Sequence, residues 1–184
     1  MGGVLARNAP GSGEPAGARL TPEIDEAVRA ALDRLGTPYE VLPCDPDFAD
    51  TALFCERYGI SPKETGNTIV VASKTYPKRY AACLILATTK LDANHTVARL
   101  LEVKRLSFAT AEETSALTGM MVGGVTVFGL PEGIPVYIDA RIPVLTSIVL
   151  GGGRRSCKIR IAPEALRRLP NVSVVEGLAL DRGA

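Results

Sequence analysis

Gly123-Gly124-Val125-Thr126-Val127-Phe128-Gly129, within the wider stretch Gly119–Asp139, joins a glycine pair to a hydroxyl residue and a closing glycine. Glycine serves where backbone must turn with positive φ or let another group come close. A loop built this way can offer its own N–H groups to a carbonyl oxygen, or to the oxyanion that forms from one. The spacing from Gly124 to Gly129 is that of a phosphate loop, but Leu130-Pro131 follows where Lys-Ser is needed. The charge for the phosphates and the magnesium ligand are both missing, which argues against nucleoside triphosphate binding.

A second glycine cluster, Gly151-Gly152-Gly153-Arg154-Arg155-Ser156, imitates part of a dinucleotide fingerprint. That fingerprint requires a following helix to aim its N-terminus at the pyrophosphate. Cys157–Ile161 alternates instead as a strand does, so the cluster reads as a glycine turn carrying Arg154, Arg155 and Lys158 to a sheet edge. Contact with a phosphate and a solvated hairpin tip are both open readings. His95, the one histidine, falls in an expected surface helix with no nucleophile beside it, so a solvated residue is the better reading than a general base. The four cysteines, Cys44, Cys55, Cys83 and Cys157, form no C-x-x-C pair, so neither a metal site nor a cofactor is expected. Cys83, inside an apolar run, reads as a buried small hydrophobe. An enzyme with this inventory works without an evident side-chain base or nucleophile, through backbone donors and groups the substrate brings.

The chain has 184 residues, 46% hydrophobic and 22% charged, which suits one globular domain with a real core. A net charge of +1 provides no global field toward nucleic acid, so any RNA contact must come from a local patch. No run is apolar and long enough for a membrane span and no secretory pattern opens the chain, so a reduced, cytoplasmic protein is expected. Residues 1–19, rich in Gly, Ala and Pro, read as a disordered leader, and 20–184 as a single domain.

The elements that must position these residues follow from periodicity and punctuation. Thr21-Pro22-Glu23 starts a helix with Ile24, Val28, Leu32 and Leu35 on one face, and Gly36 ends it. A strand is expected at Tyr39–Leu42, a helix at Phe48–Tyr58, and one helical turn from Ser61-Pro62. Asn67–Ser73 and Tyr80–Thr88 read as central strands joined by the basic connection Lys74–Arg79. A helix near Asn94–Leu101 and a strand near Lys104–Phe108 precede the capping box Thr110–Glu113, whose helix Gly119 ends. Strands at Pro135–Asp139, Ser147–Leu150, Lys158–Ile161 and Val172–Val175 and a helix at Pro163–Leu169 complete the reading. The irregular order predicts a mixed α/β fold: a curved, partly closed mixed sheet surrounded by helices.

The order and spacing of several segments resemble a known family. They are Gly59-Ile60-Ser61-Pro62 with Asn67-Thr68-Ile69-Val70, then Phe108–Glu113 with Leu117-Thr118-Gly119, then Val122–Thr126 with Phe128-Gly129-Leu130. Val136–Asp139 and Gly151–Ser156 with Ile159 extend the match, which runs from about Leu20 to Leu180. The chain is similar to the YbaK-type aminoacyl-tRNA deacylases and to the editing domain inserted in bacterial prolyl-tRNA synthetases. The resemblance implies hydrolysis of the ester joining a wrong amino acid to the terminal ribose of a tRNA, a proofreading step that binding selectivity alone cannot supply. It assigns oxyanion binding to the backbone of Gly123, Gly124 and Thr126, and orientation of the aminoacyl end or of water to Asn67. Arg154, Arg155 and Lys158, with Gly152 and Gly153, would meet the acceptor-end phosphates, and Asp139 would brace the glycine turns. Partners would be the aminoacylated acceptor end and a synthetase, with no membrane.

Two positions depart from the family pattern. Asn67 stands where a lysine is usual, and Val127 where a proline commonly closes the loop. Lys74 or Lys78 could supply the missing cation from the neighbouring connection. A second reading keeps the same pocket for binding tRNA, a nucleotide or a synthetase without hydrolysis.

Overall fold

The computed structural model describes residues 22–182; the expected leader at 1–19, and Thr21, lie outside them. Helix α1 (Glu26–Leu35) begins at Asp25, whose side chain accepts the Ala27 N–H at 3.0 Å, and ends at Gly36 with φ of 60°. The expected start at Pro22-Glu23 moves inward because the Gly152 carbonyl holds the Asp25 N–H at 3.0 Å, leaving Asp25 extended and able to cap. Strand β1 (Tyr39–Pro43) leads to a 3₁₀ turn at Pro46–Phe48 and then α2 (Thr51–Tyr58), closed by Gly59. The helix expected across Phe48–Tyr58 is thus broken at Ala49-Asp50, where the Ala49 carbonyl accepts from Lys158.

A 3₁₀ turn at Pro62–Glu64, capped by Ser61, precedes β2 (Gly66–Ser73) and β3 (Tyr80–Leu86), an antiparallel pair. Then come β4 (Thr89–Leu91), a π turn at Ala93–Val97 running into α3 (Ala98–Leu100), and β5 (Leu106–Phe108). Helix α4 (Ala111–Thr118) carries the expected capping box: Thr110 Oγ1 accepts the Glu113 N–H, and the Glu113 carboxylate accepts the Thr110 N–H. After the glycine loop come β6 (Val136–Asp139), β7 (Ile148–Gly151) and β8 (Cys157–Ile161). A 3₁₀ helix at Pro163–Arg168, where an α-helix is expected, leads to β9 (Val172–Val175) and β10 (Ala179–Asp181).

The fold is mixed α/β. Its largest sheet has the order β5-β2-β3-β6-β9, with β3, β6 and β9 parallel to one another and the β2 contacts antiparallel. A second, antiparallel sheet of order β1-β8-β7 meets the first at the Thr65–Val149 bridge, and β4 pairs with β10. Val28 and Leu32 of α1 pack with Phe128, Ile138, Leu150 and Ile159 between the two sheets. On the other face, Val71, Cys83 and Ile85 pack against Val97 and Leu101. Burying these apolar side chains, at roughly 1.5–3 kcal/mol each, drives the layers together. Gly66 sits where they meet: a Cβ there would stand 2.8 Å from Leu84 and 3.1 Å from Ile148. No helix among the described residues is long and apolar enough to cross a membrane.

Candidate active site

A cleft of about 460 Å³ opens between the sheets, within the size range of small-molecule sites. Its floor is Gly66–Val70 of β2, one wall is Val122, Gly123 and Val125 of the glycine loop, and α2 begins at its rim. The edge of β2 is open there. Thr65 and Ser73 both hydrogen-bond into the β3 side of the ladder, so the odd-numbered residues face β3 and the even ones face away. Strand β5 covers that outer edge only over Val71–Ser73, and the Val70 carbonyl takes the Ala109 N–H at 2.9 Å. The Thr68 peptide groups therefore face the cleft, and the buried Thr68 hydroxyl has no partner among the described residues.

The glycine loop presents a specific set of donors. Three successive carbonyls are held: Val122 by Arg155 Nη1 at 2.9 Å, Gly123 by Lys158 Nζ at 2.7 Å, and Gly124 by the Gly153 N–H at 2.7 Å. The Gly124 N–H is consumed by the Met121 carbonyl at 2.8 Å. The N–H groups of Gly123 and Val125, the residues on either side, have no partner among the described residues, and both residues line the cleft. The donor expected at Gly124 is therefore spent inside a turn. Thr126 lies behind the loop, fully buried, with its hydroxyl unpartnered among the described residues.

Close packing fixes this loop. A Cβ at Gly124 would stand 2.6 Å from the Arg154 carbonyl carbon, and one at Gly151 would stand 2.5 Å from the Val125 oxygen. Gly152 and Gly153 belong to the same scaffold: the Gly152 carbonyl anchors Asp25, and the Gly153 carbonyl takes the Met121 N–H at 3.1 Å.

The expected cations distribute unevenly. Arg154 turns away from the cleft and pairs with Asp25 at 3.5 Å. Arg155 donates from Nε and Nη2 to the Pro46 carbonyl, from Nη1 to Val122, and stands 3.6 Å from Asp50. Lys158 is 5% exposed; its ammonium donates to the Ala49 and Gly123 carbonyls and sits 5.4 Å from the Phe54 ring centroid. Burial holds its pKa below the ordinary lysine value. Lys74 does not reach the cleft, and Lys78 pairs with Glu113 of α4. Asn67, at the start of β2, lines the cleft beside Thr68.

Asp139 does not brace the glycine turns. It is 2% exposed and accepts Arg141 in a bidentate pair at 2.9 and 2.8 Å; Arg141 then reaches Asp181 and the Ala179 carbonyl. It ties the end of β6 to β10, the structural role of a strand-end carboxylate. His95, 90% exposed in its side chain, pairs with Asp92 at 3.0 Å in a separate groove. Burial raises the thiols of Cys44 and Cys157, the latter to about 11, so neither offers a thiolate beside Lys158. Asp50 is the one carboxylate lining the cleft among the described residues. No group of three or more metal-binding side chains gathers among those residues.

Val125, Thr68 and the exposed Phe108 also line the cleft and were not singled out by their residue types. The strand-edge position of Thr68 follows only from the pairing of β2, which no local pattern encodes.

Comparison with known proteins bears on this cleft. Residues 45–169 match the model of a family described as the aminoacyl-tRNA editing domain. The chain is 27% identical over 122 residues to EbsC of Enterococcus faecalis, a candidate Cys-tRNA(Pro)/Cys-tRNA(Cys) deacylase, covering 66% of this chain and 72% of that one. The solved structure of hypothetical protein APE2540 superposes with a TM-score of 0.74 at 24% identity, covering 84% of this chain and all (100%) of that one. A candidate trans-editing enzyme for prolyl tRNA synthetase superposes at 0.70 with 22% identity, covering 88% and 100% respectively. At these identities the two superpositions establish likeness of fold.

Proposed function

This chain belongs to the aminoacyl-tRNA editing domain family, and from that premise we propose that its cleft hydrolyses the ester bond of a mischarged aminoacyl-tRNA. The observation that carries the reading is the pair of unspent N–H groups at Gly123 and Val125, on a loop held by packing and charge. In this reading they receive the scissile carbonyl oxygen and strengthen their grip as it becomes an oxyanion. One such donor contributes about 3 kcal/mol to lowering the barrier. Asn67 and the Thr68 edge orient the aminoacyl end, and Phe108 at the mouth offers an aromatic face to the terminal base. Water adds to the carbonyl carbon, the ester C–O bond breaks, and the ribose oxygen takes up a proton as water gives one up. With no histidine in the cleft, that transfer runs through water or a neighbouring ribose hydroxyl.

A second reading, binding of the acceptor end without hydrolysis, is favoured by Asn67, an uncharged amide at the position where the resemblance expects a lysine. A deacylation assay over a panel of mischarged tRNAs separates the two. Release of amino acid from at least one mischarged tRNA, with its correctly charged counterpart spared, is the result expected for editing. Salt-sensitive tRNA binding without release on any member of the panel would decide for the second reading.

A further inference from the structure

Arg155 and Lys158 directly flank Ser156-Cys157, and each ends on two backbone carbonyls, one in the glycine loop and one in the Pro46–Ala49 segment that precedes α2. Arg155 joins Val122 to Pro46, at 2.9 Å and at 2.9 and 2.7 Å from two of its nitrogens. Lys158 joins Gly123 to Ala49, at 2.7 and 2.5 Å. Four carbonyl dipoles thus converge on two cations, and the hydrogen bonds are charge-assisted, the stronger kind. Gly123 is glycine partly for this reason: with φ of 91°, a Cβ there would stand 3.1 Å from the Arg155 guanidinium carbon.

A trans peptide is planar, with its C=O and N–H opposed. Gripping the Val122 carbonyl therefore fixes the direction of the Gly123 N–H, and gripping the Gly123 carbonyl fixes that of the Gly124 N–H, which Met121 receives. We propose that Arg155 and Lys158 are positioning residues: a two-cation clamp that aims the Gly123 N–H at the substrate carbonyl. Neither serves as a phosphate contact. This rests on the hydrolytic reading of the same cleft, and it replaces the role that residue type alone suggested for Arg155. Three of its five N–H donors, one on each guanidinium nitrogen, are engaged by backbone carbonyls inside the protein, and a single ammonium nitrogen could not span Val122 and Pro46 at once.

The test is Arg155→Ala with Arg155→Lys beside it, in the full chain, each checked for cooperative unfolding. With a mischarged tRNA that the wild type hydrolyses, kcat should fall about a hundredfold, the scale of a displaced catalytic group. KM and the salt dependence of tRNA binding should stay within about twofold, and lysine should fail to restore kcat, since one ammonium cannot reproduce the guanidinium fork. A raised KM with intact kcat, and a salt slope shallower by about one, would overturn the proposal in favour of a phosphate contact. Absence of turnover in the wild type would sink the hydrolytic reading alone, and the clamp is then read from amide exchange. The Gly124 amide should exchange at least about tenfold faster in Arg155→Ala, as expected for local opening of a loop that has lost its anchor. An unchanged rate would contradict the clamp whatever the activity.

Discussion

Replacing Gly151 by alanine probes the glycine loop through its support and leaves every donor in place. The new Cβ would stand 2.5 Å from the Val125 oxygen and 2.7 Å from the Gly124 carbonyl carbon, against ordinary contacts that begin at 3.4 Å. Both neighbours are backbone, so the loop must withdraw by about 1 Å, a displacement that costs about a hundredfold where it moves a catalytic group. The overpacking itself should cost about 2 kcal/mol of stability. Gly133→Ala is the matched control: φ there is 86°, and nothing lies within 4 Å of the added methyl. Its strain of about 1–2 kcal/mol lowers stability without touching the loop. Urea unfolding and single-turnover deacylation of both variants read the two effects separately. If folded Gly151→Ala keeps its single-turnover rate, or Gly133→Ala loses as much, the packing of the loop does not hold the donors.

Two further outcomes follow from buried groups. Thr126→Val removes a hydroxyl that is fully buried and unpartnered among the described residues, so stability should rise by about 1 kcal/mol; loss of stability would show that the hydroxyl is satisfied. A matching rise in melting temperature of about 3 °C is expected for a chain of this size. Cys83, fully buried, has its thiol pushed by burial from 9.0 up to about 12. A raised folded pKa means stability that is present below the unfolded value and lost as pH rises toward the folded one. Unfolding free energy should therefore fall with pH above 9, with Cys83 contributing about 1.4 kcal/mol per unit. Lys158, held down by burial, works in the opposite direction below 10.5. Cys83→Ala should flatten the alkaline slope by about one proton; equal slopes in variant and wild type would refute the assignment.

Local chemistry made much of this fold legible. The Thr110–Glu113 capping box, the glycine ends of α1, α2 and α4, and the apolar runs of β2 and β3 all declared themselves. What stayed hidden depends on distant partners. Strands β4 and β10 are three residues each, too short for periodicity, and exist because they pair with one another across the chain. The start of α1 depends on Gly152, remote in sequence, holding the Asp25 N–H. Lys158 alternates with Cys157 and Ile159 as an outward residue should, and so does Arg160, which pairs with Glu40 at the surface. Lys158 is buried because the glycine loop and the Ala49 break cover that end of β8.

For the candidate site, residue types point to the loop and no further. Glycine content and the missing Lys-Ser pointed to Gly123–Gly129 as a carbonyl-binding element. Which amides are free was set by Arg155, Lys158 and Gly153, each about 30 residues away along the chain. The sequence-based expectation names the backbone of Gly123, Gly124 and Thr126; in the structure the Gly124 N–H is spent on Met121, while Gly123 and Val125, both lining the cleft, keep N–H groups with no partner among the described residues.

The amides of Gly123 and Val125 can be watched directly. An amide-linked aminoacyl-adenosine analogue, which cannot be hydrolysed as the ester is, would be titrated into ¹⁵N-labelled protein while backbone amide shifts are followed. Downfield proton shifts are expected at Gly123 and Val125 as they bond the analogue's carbonyl, with Gly124 nearly unmoved because Met121 already holds it. Saturable binding that shifts Gly124 and leaves Gly123 and Val125 unchanged would contradict it.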